Sequence, residues 1–314
     1  MVLAAAPCAA QPVVAVSDEV GHDVRLVDAR TGATIATIPT GARARGVRAS
    51  RDGKRVYVAL SDDRPNVETS ADAIAVIDLA SRRIVERLPV GTDPEQFAVT
   101  SDDRWLVASN EDSGAASVLA LADGKVAASL VVGIEPEGVA VSPDDRWALV
   151  TAETSNSISI IDLPARRVVG AVLVDPRPRG VAFSADGKRA YVTAEIGGTL
   201  SEVDVRKRAV VRTVSLEGGA GKPVGVAVSP DGKRVWVANG AADVVSVIDA
   251  RTLRPIGRVS VGRRPWGIAV SPDGRWVVTA NGLSDTISLI DATTLRMVRT
   301  IPVGHRPWGV AVIP

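Results

Sequence analysis

Val226-Ala227-Val228-Ser229-Pro230-Asp231-Gly232-Lys233-Arg234-Val235-Trp236-Val237-Ala238 alternates apolar with small or polar residues, breaks at Ser-Pro-Asp-Gly, and then alternates again. This is the signature of two strands joined by a tight turn, and Gly after Asp supplies the positive φ that such turns need. A polar loop follows, then Val245-Ser246-Val247-Ile248-Asp249, a second turn, and a fourth strand closing on Val261-Gly262. The unit is four short strands, and no helix is required.

Outward from this unit, the strand-ending aspartate recurs as Asp28, Asp78, Asp162, Asp204, Asp249 and Asp291, with Ala120 in the remaining place. A repeat of roughly 40–45 residues made of short strands is that of a propeller in which each copy is one blade. The spacing predicts an all-β, seven-bladed β-propeller with four antiparallel strands per blade. The turn aspartates Asp52, Asp102, Asp144, Asp186, Asp231 and Asp273 mark one hairpin fewer than the blades. The ends explain the shortfall: the chain enters at Val13-Val14-Ala15-Val16 as a second strand and finishes at Arg306-Pro307-Trp308-Gly309-Val310-Ala311-Val312 as a first strand. Pairing the two closes the ring and removes an open β-edge.

Residues 13–314 are therefore expected to form one domain, although length alone suggests two. Residues 1–12, small and apolar around Ala4-Ala5-Ala6 and Ala9-Ala10, read as a signal-peptide remnant or a disordered N-terminus, with export to the periplasm the expectation. Cys8 is the only cysteine, which excludes an intrachain disulfide and a covalent c-type haem. A net charge of +1 leaves no basic stripe for nucleic acid. No apolar run reaches the length of a bilayer span, and a monomer is expected. Large rings alternate between two neighbouring positions, Trp105, Trp147 and Trp276 in some blades and Tyr57, Tyr191 and Trp236 in others, which points to packing between blades. The repeated strand-ending aspartates are expected to accept turn N–H groups.

The words Tyr191-Val192-Thr193-Ala194, Val278-Thr279-Ala280-Asn281, Trp236-Val237-Ala238-Asn239 and Tyr57-Val58-Ala59-Leu60 stand in register with Ser-Pro-Asp-Gly, Val-Ile-Asp and Val-Gly-x-x-Pro-x-Gly. Together they resemble the YVTN family of bacterial β-propellers over nearly the whole chain. Blade-specific words, among them Asp93-Pro94-Glu95-Gln96-Phe97, Glu135-Pro136-Glu137-Gly138, Ala194-Glu195-Ile196-Gly197-Gly198 and Arg264-Pro265-Trp266-Gly267, resemble the subgroup associated with PQQ-dependent alcohol catabolism. The resemblance implies a periplasmic setting beside a quinoprotein dehydrogenase or cytochrome c, with PQQ entering only through that pathway.

In each blade the Pro-x-Gly start of the inner strand and the loop after the second strand share one face, the candidate mouth. The residue before each inner-strand Gly reads Arg45, Gln96 beside Glu95, Glu137, Arg179, Val224, Trp266 and Trp308, with Phe97 standing where Gly is expected in blade three. The loop position adds Ser61, Glu111, Glu153, Glu195, Gly240 and Gly282. Carboxylates thus gather on blades three to five, while Trp266 and Trp308, with Asn239 and Asn281, lie across the ring. Such an arrangement predicts recognition of a partner or small ligand by Trp and Arg. Alternatively, the Glu cluster would hold a divalent cation for lactonase-like hydrolysis, or the module is a structural or glycan-binding part of the cell envelope. A cation between His22, His305 and Asp18 or Glu19 is a further reading. No nucleophile elbow, phosphate loop or metalloprotease motif is present, so catalysis is not the first expectation.

Overall fold

The computed structural model describes residues 12–62, 64, 67 and 69–314. The reading of residues 1–12 as a leader or frayed end, and Cys8 with it, falls almost wholly outside them. The described residues form seven four-stranded antiparallel sheets. Blade one is composite: its inner strand is Pro307–Ile313 and its others are Val13–Asp18, Asp23–Asp28 and Thr34–Pro39. Val16 pairs with Val310 and Val14 with Val312, so the last strand seals the ring against the first. The inner strands of blades two to seven are Arg43–Ala49, Pro94–Val99, Pro136–Val141, Pro178–Phe183, Pro223–Val228 and Pro265–Val270.

Burial follows strand order. Second and third strands are buried almost throughout, as in Arg234–Asn239 and Val244–Asp249, whereas outer strands such as Arg296–Pro302 stand largely in solvent. Apolar side chains of neighbouring sheets interlock between blades. At the closure, Val14, Val16, Val27, Val310 and Val312 of blade one pack with Trp276, Val278, Ile287 and Leu289 of blade seven. Tyr57, Tyr191, Trp236 and Trp276 are buried in these interfaces. Trp105 and Trp147 are only half-buried, each capped by a guanidinium, Arg166 at 4.9 Å and Arg146 at 5.1 Å from the ring centroid.

The repeated aspartates are turn acceptors: Asp28 takes the amides of Arg30 and Thr31, and Asp249 that of Thr252. Those hydrogen bonds, to Thr31 first, hold the exposed Asp28 carboxyl below its usual range. The hairpin turns use a second device, in which the Ser of Ser-Pro-Asp-Gly bonds the Asp carboxylate, as in Ser229 to Asp231 at 2.6 Å.

Two backbone features aim the mouth. Each inner strand carries a bulge where two residues oppose one on the second strand; in blade seven the pairing runs Pro265 with Asn281 and then Ile268 with Thr279. The bulge turns the residue after Pro out of the ladder and toward the channel mouth. The register also corrects the blade-three alignment. Pro94 pairs with Asn110 and Phe97 with Ala108. Glu95 therefore occupies the place of Glu137, Gln96 replaces the Gly, and Phe97, fully buried, replaces the following Val. The glycine is needed elsewhere because neighbouring inner strands nearly touch: a Cβ on Gly267 would lie 2.6 Å from the Trp308 carbonyl oxygen.

Candidate functional site

Second-strand hydroxyls join the blades directly beneath the mouth. Thr151 accepts the Gly138 amide at 2.7 Å and donates to the carbonyl of Arg179 in the next blade at 2.9 Å. Thr193 likewise links Gly180 to Val224, Ser109 links Gln96 to Glu137, and Ser17 links Gly309 to Arg45. The hydroxyl fixes both the bulge and the backbone of the next mouth residue in blades one, three, four and five. Blades two, six and seven have Ala59, Ala238 and Ala280 at this position.

Above the ring, the residue before each inner-strand Pro holds a left-handed backbone: Asp93, Glu135, Arg177, Lys222, Arg264 and Arg306 have φ between 46° and 62°. Non-glycine residues avoid this region at a cost of about 1–3 kcal/mol unless the surroundings impose it. Here each carbonyl accepts the amide at the end of the second strand, from Glu111 to Asp93 at 3.0 Å, Glu153 to Glu135 at 2.9 Å, Glu195 to Arg177 at 2.8 Å and Glu19 to Arg306 at 3.2 Å. The strained residues thereby hold the glutamates at their posts.

The carboxylates sort into two arginine-centred networks. Arg45 pairs with Glu95, with Glu111 at 3.4 Å and with Glu19 at 3.7 Å, while Arg43 reaches Asp93 at 3.0 Å. Across blades four and five, Arg179 pairs with Glu137 and Glu153, and with Glu195 at 2.9 Å. Arg177 adds bonds to Glu153 at 2.8 Å and Glu195 at 3.3 Å, and Arg264 meets Glu195 at 2.9 Å. Glu95, Glu137, Glu153 and Glu195 are all buried. Burial pushes the Glu195 carboxyl up, but Arg179 and Arg264 more than offset it and hold it below its usual value. Burial and the adjoining Glu137 raise Glu153. Glu111 is pushed up to about 7 by burial, with Arg45 only partly opposing.

Trp266 and Trp308 meet at the far wall with ring centroids 6.0 Å apart and planes tilted by 42°. The guanidinium carbons of Arg264 and Arg179 lie 4.8 and 5.1 Å from the Trp266 centroid, which ties the aromatic pair to the second network. Recognition by these two rings would call for exposed faces; Trp308 is buried at 6% exposure and Trp266 is half-buried. A cavity of about 460 Å³ opens between the networks and the aromatic pair, bounded by Arg45, Glu111, Arg179, Arg306, Trp266 and Trp308 among others. Arg306 has no carboxylate within 4.0 Å among the described residues.

Of the residues expected at the mouth, Arg45, Arg179, Glu95, Glu111, Trp266 and Trp308 line this cavity, and Glu137, Glu153 and Glu195 support it from behind. Asn239 and Asn281 do not reach it, which corrects the sequence reading. Both are fully buried, and their amides bond Ser246 at 2.9 Å and Ser288 at 3.0 Å, tying second to third strand. The recurring Asn and Ser seven residues apart, also Asn110 with Ser117, is the signal for that role. Arg177 was missed, being a charged residue before Pro that reads as turn.

Asp93, Glu95 and Glu111 bring ligand oxygens within 4.8 Å of one another. They do not suit a divalent cation, because Arg45 and Arg43 already occupy these carboxylates and would repel it. Neither histidine joins such a group among the described residues. Asp18 instead accepts the amides of Gly21 and His305, and His305 is exposed.

A profile of YNCE-like β-propellers matches residues 66–230, more than half of the chain. The chain belongs to the YNCE-like β-propeller family. A profile of seven-bladed lactonase propellers matches residues 176–300. No curated protein matches significantly. Among solved structures, a candidate 6-phosphogluconolactonase from Bacteroides uniformis is 20% identical, with a TM-score of 0.79 over 97% of this chain and 100% of its own. A second from Bacteroides fragilis is 19% identical, at 0.77 over 99% and 100%. Hydrazine synthase from Kuenenia stuttgartiensis is 21% identical, at 0.76 over 88% and 91%. At these identities the likeness is one of fold.

Proposed function

We propose that this YNCE-like propeller is a periplasmic recognition protein whose mouth receives a small anionic ligand with a flat face, of the sugar-acid or quinone-carboxylate type. The observation that carries this reading is the free Arg306 guanidinium beside the tilted Trp266–Trp308 pair, over a cavity of about 460 Å³. Every other guanidinium named at the mouth is neutralised by a carboxylate, so Arg306 is the unpaired cation lining this cavity, and a ring face offers an apolar platform of low entropy cost. The blade words resembling the PQQ-associated subgroup suggest a quinoprotein dehydrogenase or cytochrome c as the protein served. Calorimetry with PQQ and with 6-phosphogluconate tests the reading. One of them is expected to bind at a single site, roughly tenfold more weakly in Arg306→Gln and in Trp266→Ala; absence of binding by both overturns it.

A second reading, lactone hydrolysis, rests on Glu111. A carboxyl pushed up to about 7 by burial and 28% exposed at the cavity wall suits the work of a general base. Glu111 would take a proton from water as that oxygen attacks the lactone carbonyl. Ring opening would then return a proton to the departing alkoxide, leaving the hydroxy acid. Turnover of a sugar lactone should rise through about pH 7 and vanish in Glu111→Gln; no turnover by the wild-type protein removes this reading.

A further inference from the structure

The inner strands carry a second sevenfold position, three residues past the mouth residue. It is Ala98, Ala140, Ala182, Ala227, Ala269 and Ala311 in six blades and Arg48 in blade two. Alanine there leaves the channel open, and the scaffold manages without a long side chain six times in seven. Arg48 stands at the junction of two spaces, the narrow throat below the mouth and a funnel of about 680 Å³ opening on the opposite face. The funnel walls are apolar, among them Val141, Phe183, Val228, Val270 and Val312. Its charged side chains are Arg48 and Arg51, and Pro314 brings the terminal carboxylate to the same lining.

The Arg48 residue is half-buried between these two spaces. Its bonds are to the Val47 carbonyl at 2.9 Å and to Oε1 of Gln96 at 3.3 Å. No carboxylate lies within 4.0 Å of it among the described residues. Burial without a countercharge weakens its hold on the proton, the reverse of the carboxylate-bound Arg179. A cation in this position ordinarily has an anionic partner. From the opposite face an anion reaches it along an apolar funnel, much wider than the throat, which favours a hydrocarbon tail behind a planar, two-oxygen head able to take the guanidinium fork.

We propose that the funnel is a binding site for a linear alkyl carboxylate of medium chain length, its head on Arg48 and its tail against the inner-strand valines. This site opens on the face opposite the mouth, and the proposal does not rest on what the mouth binds. Calorimetry on the full chain with decanoate, kept below its aggregation concentration, is the test, with decanol and decyltrimethylammonium as matched tails. Decanoate is expected to bind one to one with a negative heat-capacity change. Decanol should bind at least tenfold more weakly, as should decanoate to Arg48→Met, since a hydrogen-bonded charge pair is lost. Val228→Glu, which sets a carboxylate on the funnel wall, should abolish binding while Arg48 is intact, and circular dichroism confirms the fold of each variant. Should Arg48→Met fail to fold, the ligand series and Val228→Glu decide. No binding of decanoate, equal binding of decanol, or undiminished binding by both variants overturns the proposal.

Discussion

Arg179 is the keystone of the blade-four and blade-five network, and its removal has a calculable signature. Its side chain is 11% exposed and faces Glu137, Glu153 and Glu195, each no more than 6% exposed. Arg179→Met preserves most of the volume and leaves carboxylates buried with Arg177 and Arg264 as their remaining cations. Breaking a buried ion pair by removing one partner costs about 3–5 kcal/mol. For a chain of this length, each kcal/mol lowers Tm by roughly 2 °C, so a fall of about 6–10 °C is expected at pH 8. The deficit must depend on pH. Arg179 and Arg264 hold the Glu195 carboxyl below its ordinary value, and a group depressed in this way stabilises the fold above its unfolded pKa and loses that contribution as pH falls. Protonation at acid pH also neutralises the carboxylates stranded in the variant, so the gap should narrow toward pH 4. Arg179→Lys, which keeps the charge but not the planar fork, should fall between. Scanning calorimetry at pH 8 and pH 4, at matched scan rates, gives the answer. A loss under about 2 °C at pH 8, or one that does not change with pH, would refute the network's role.

Glu111→Gln should stabilise the protein. The carboxyl titrates at about 7 against an ordinary 4.5, so charging it weakens the fold as pH rises through that window; allowing for its partial exposure, a gain of about 1–2 kcal/mol at pH 8 and none at pH 4 is expected in urea melts. Gly267→Ala should cost about 1–3 kcal/mol, because the added methyl meets the Trp308 carbonyl at 2.6 Å and the Gly309 Cα at 3.0 Å, and a Tm equal to the wild type would show that the strands can part. Calcium or a chelator should leave Tm unchanged, since Arg45 fills the place of a cation; a calcium-dependent rise would reverse that conclusion. Deleting Pro307–Pro314 removes the inner strand of blade one and should yield aggregate in gel filtration in place of folded protein.

The ring was legible because its instructions are local and repeated. Ser-Pro-Asp-Gly turns, the strand-ending aspartates and period-two apolar runs each fix a hairpin, and Pro307–Ile313 had no other strand to join. The mouth was legible in part. The Pro-x-Gly pattern located Arg45, Glu137, Arg179 and Trp266, but a bulge cannot be counted from one blade, so Gln96 and Phe97 slipped by one residue in blade three. Exposure was misjudged for Asn239, Asn281 and Trp308, because polar or aromatic character says nothing of which hydroxyl or ring waits opposite. Arg48 escaped notice because its meaning lies only in the contrast with six alanines that all blades must be superposed to reveal.

The seal between Ser17 and Gly309, whose hydroxyl and amide meet at 2.8 Å, spans 292 positions of chain. During synthesis at about 5–20 residues per second, the opening strand waits on the order of 15–60 s for its mate. For that interval the first sheet is three strands wide, with a bare, adhesive flank. A chain still on the ribosome therefore carries that open flank until its tail emerges.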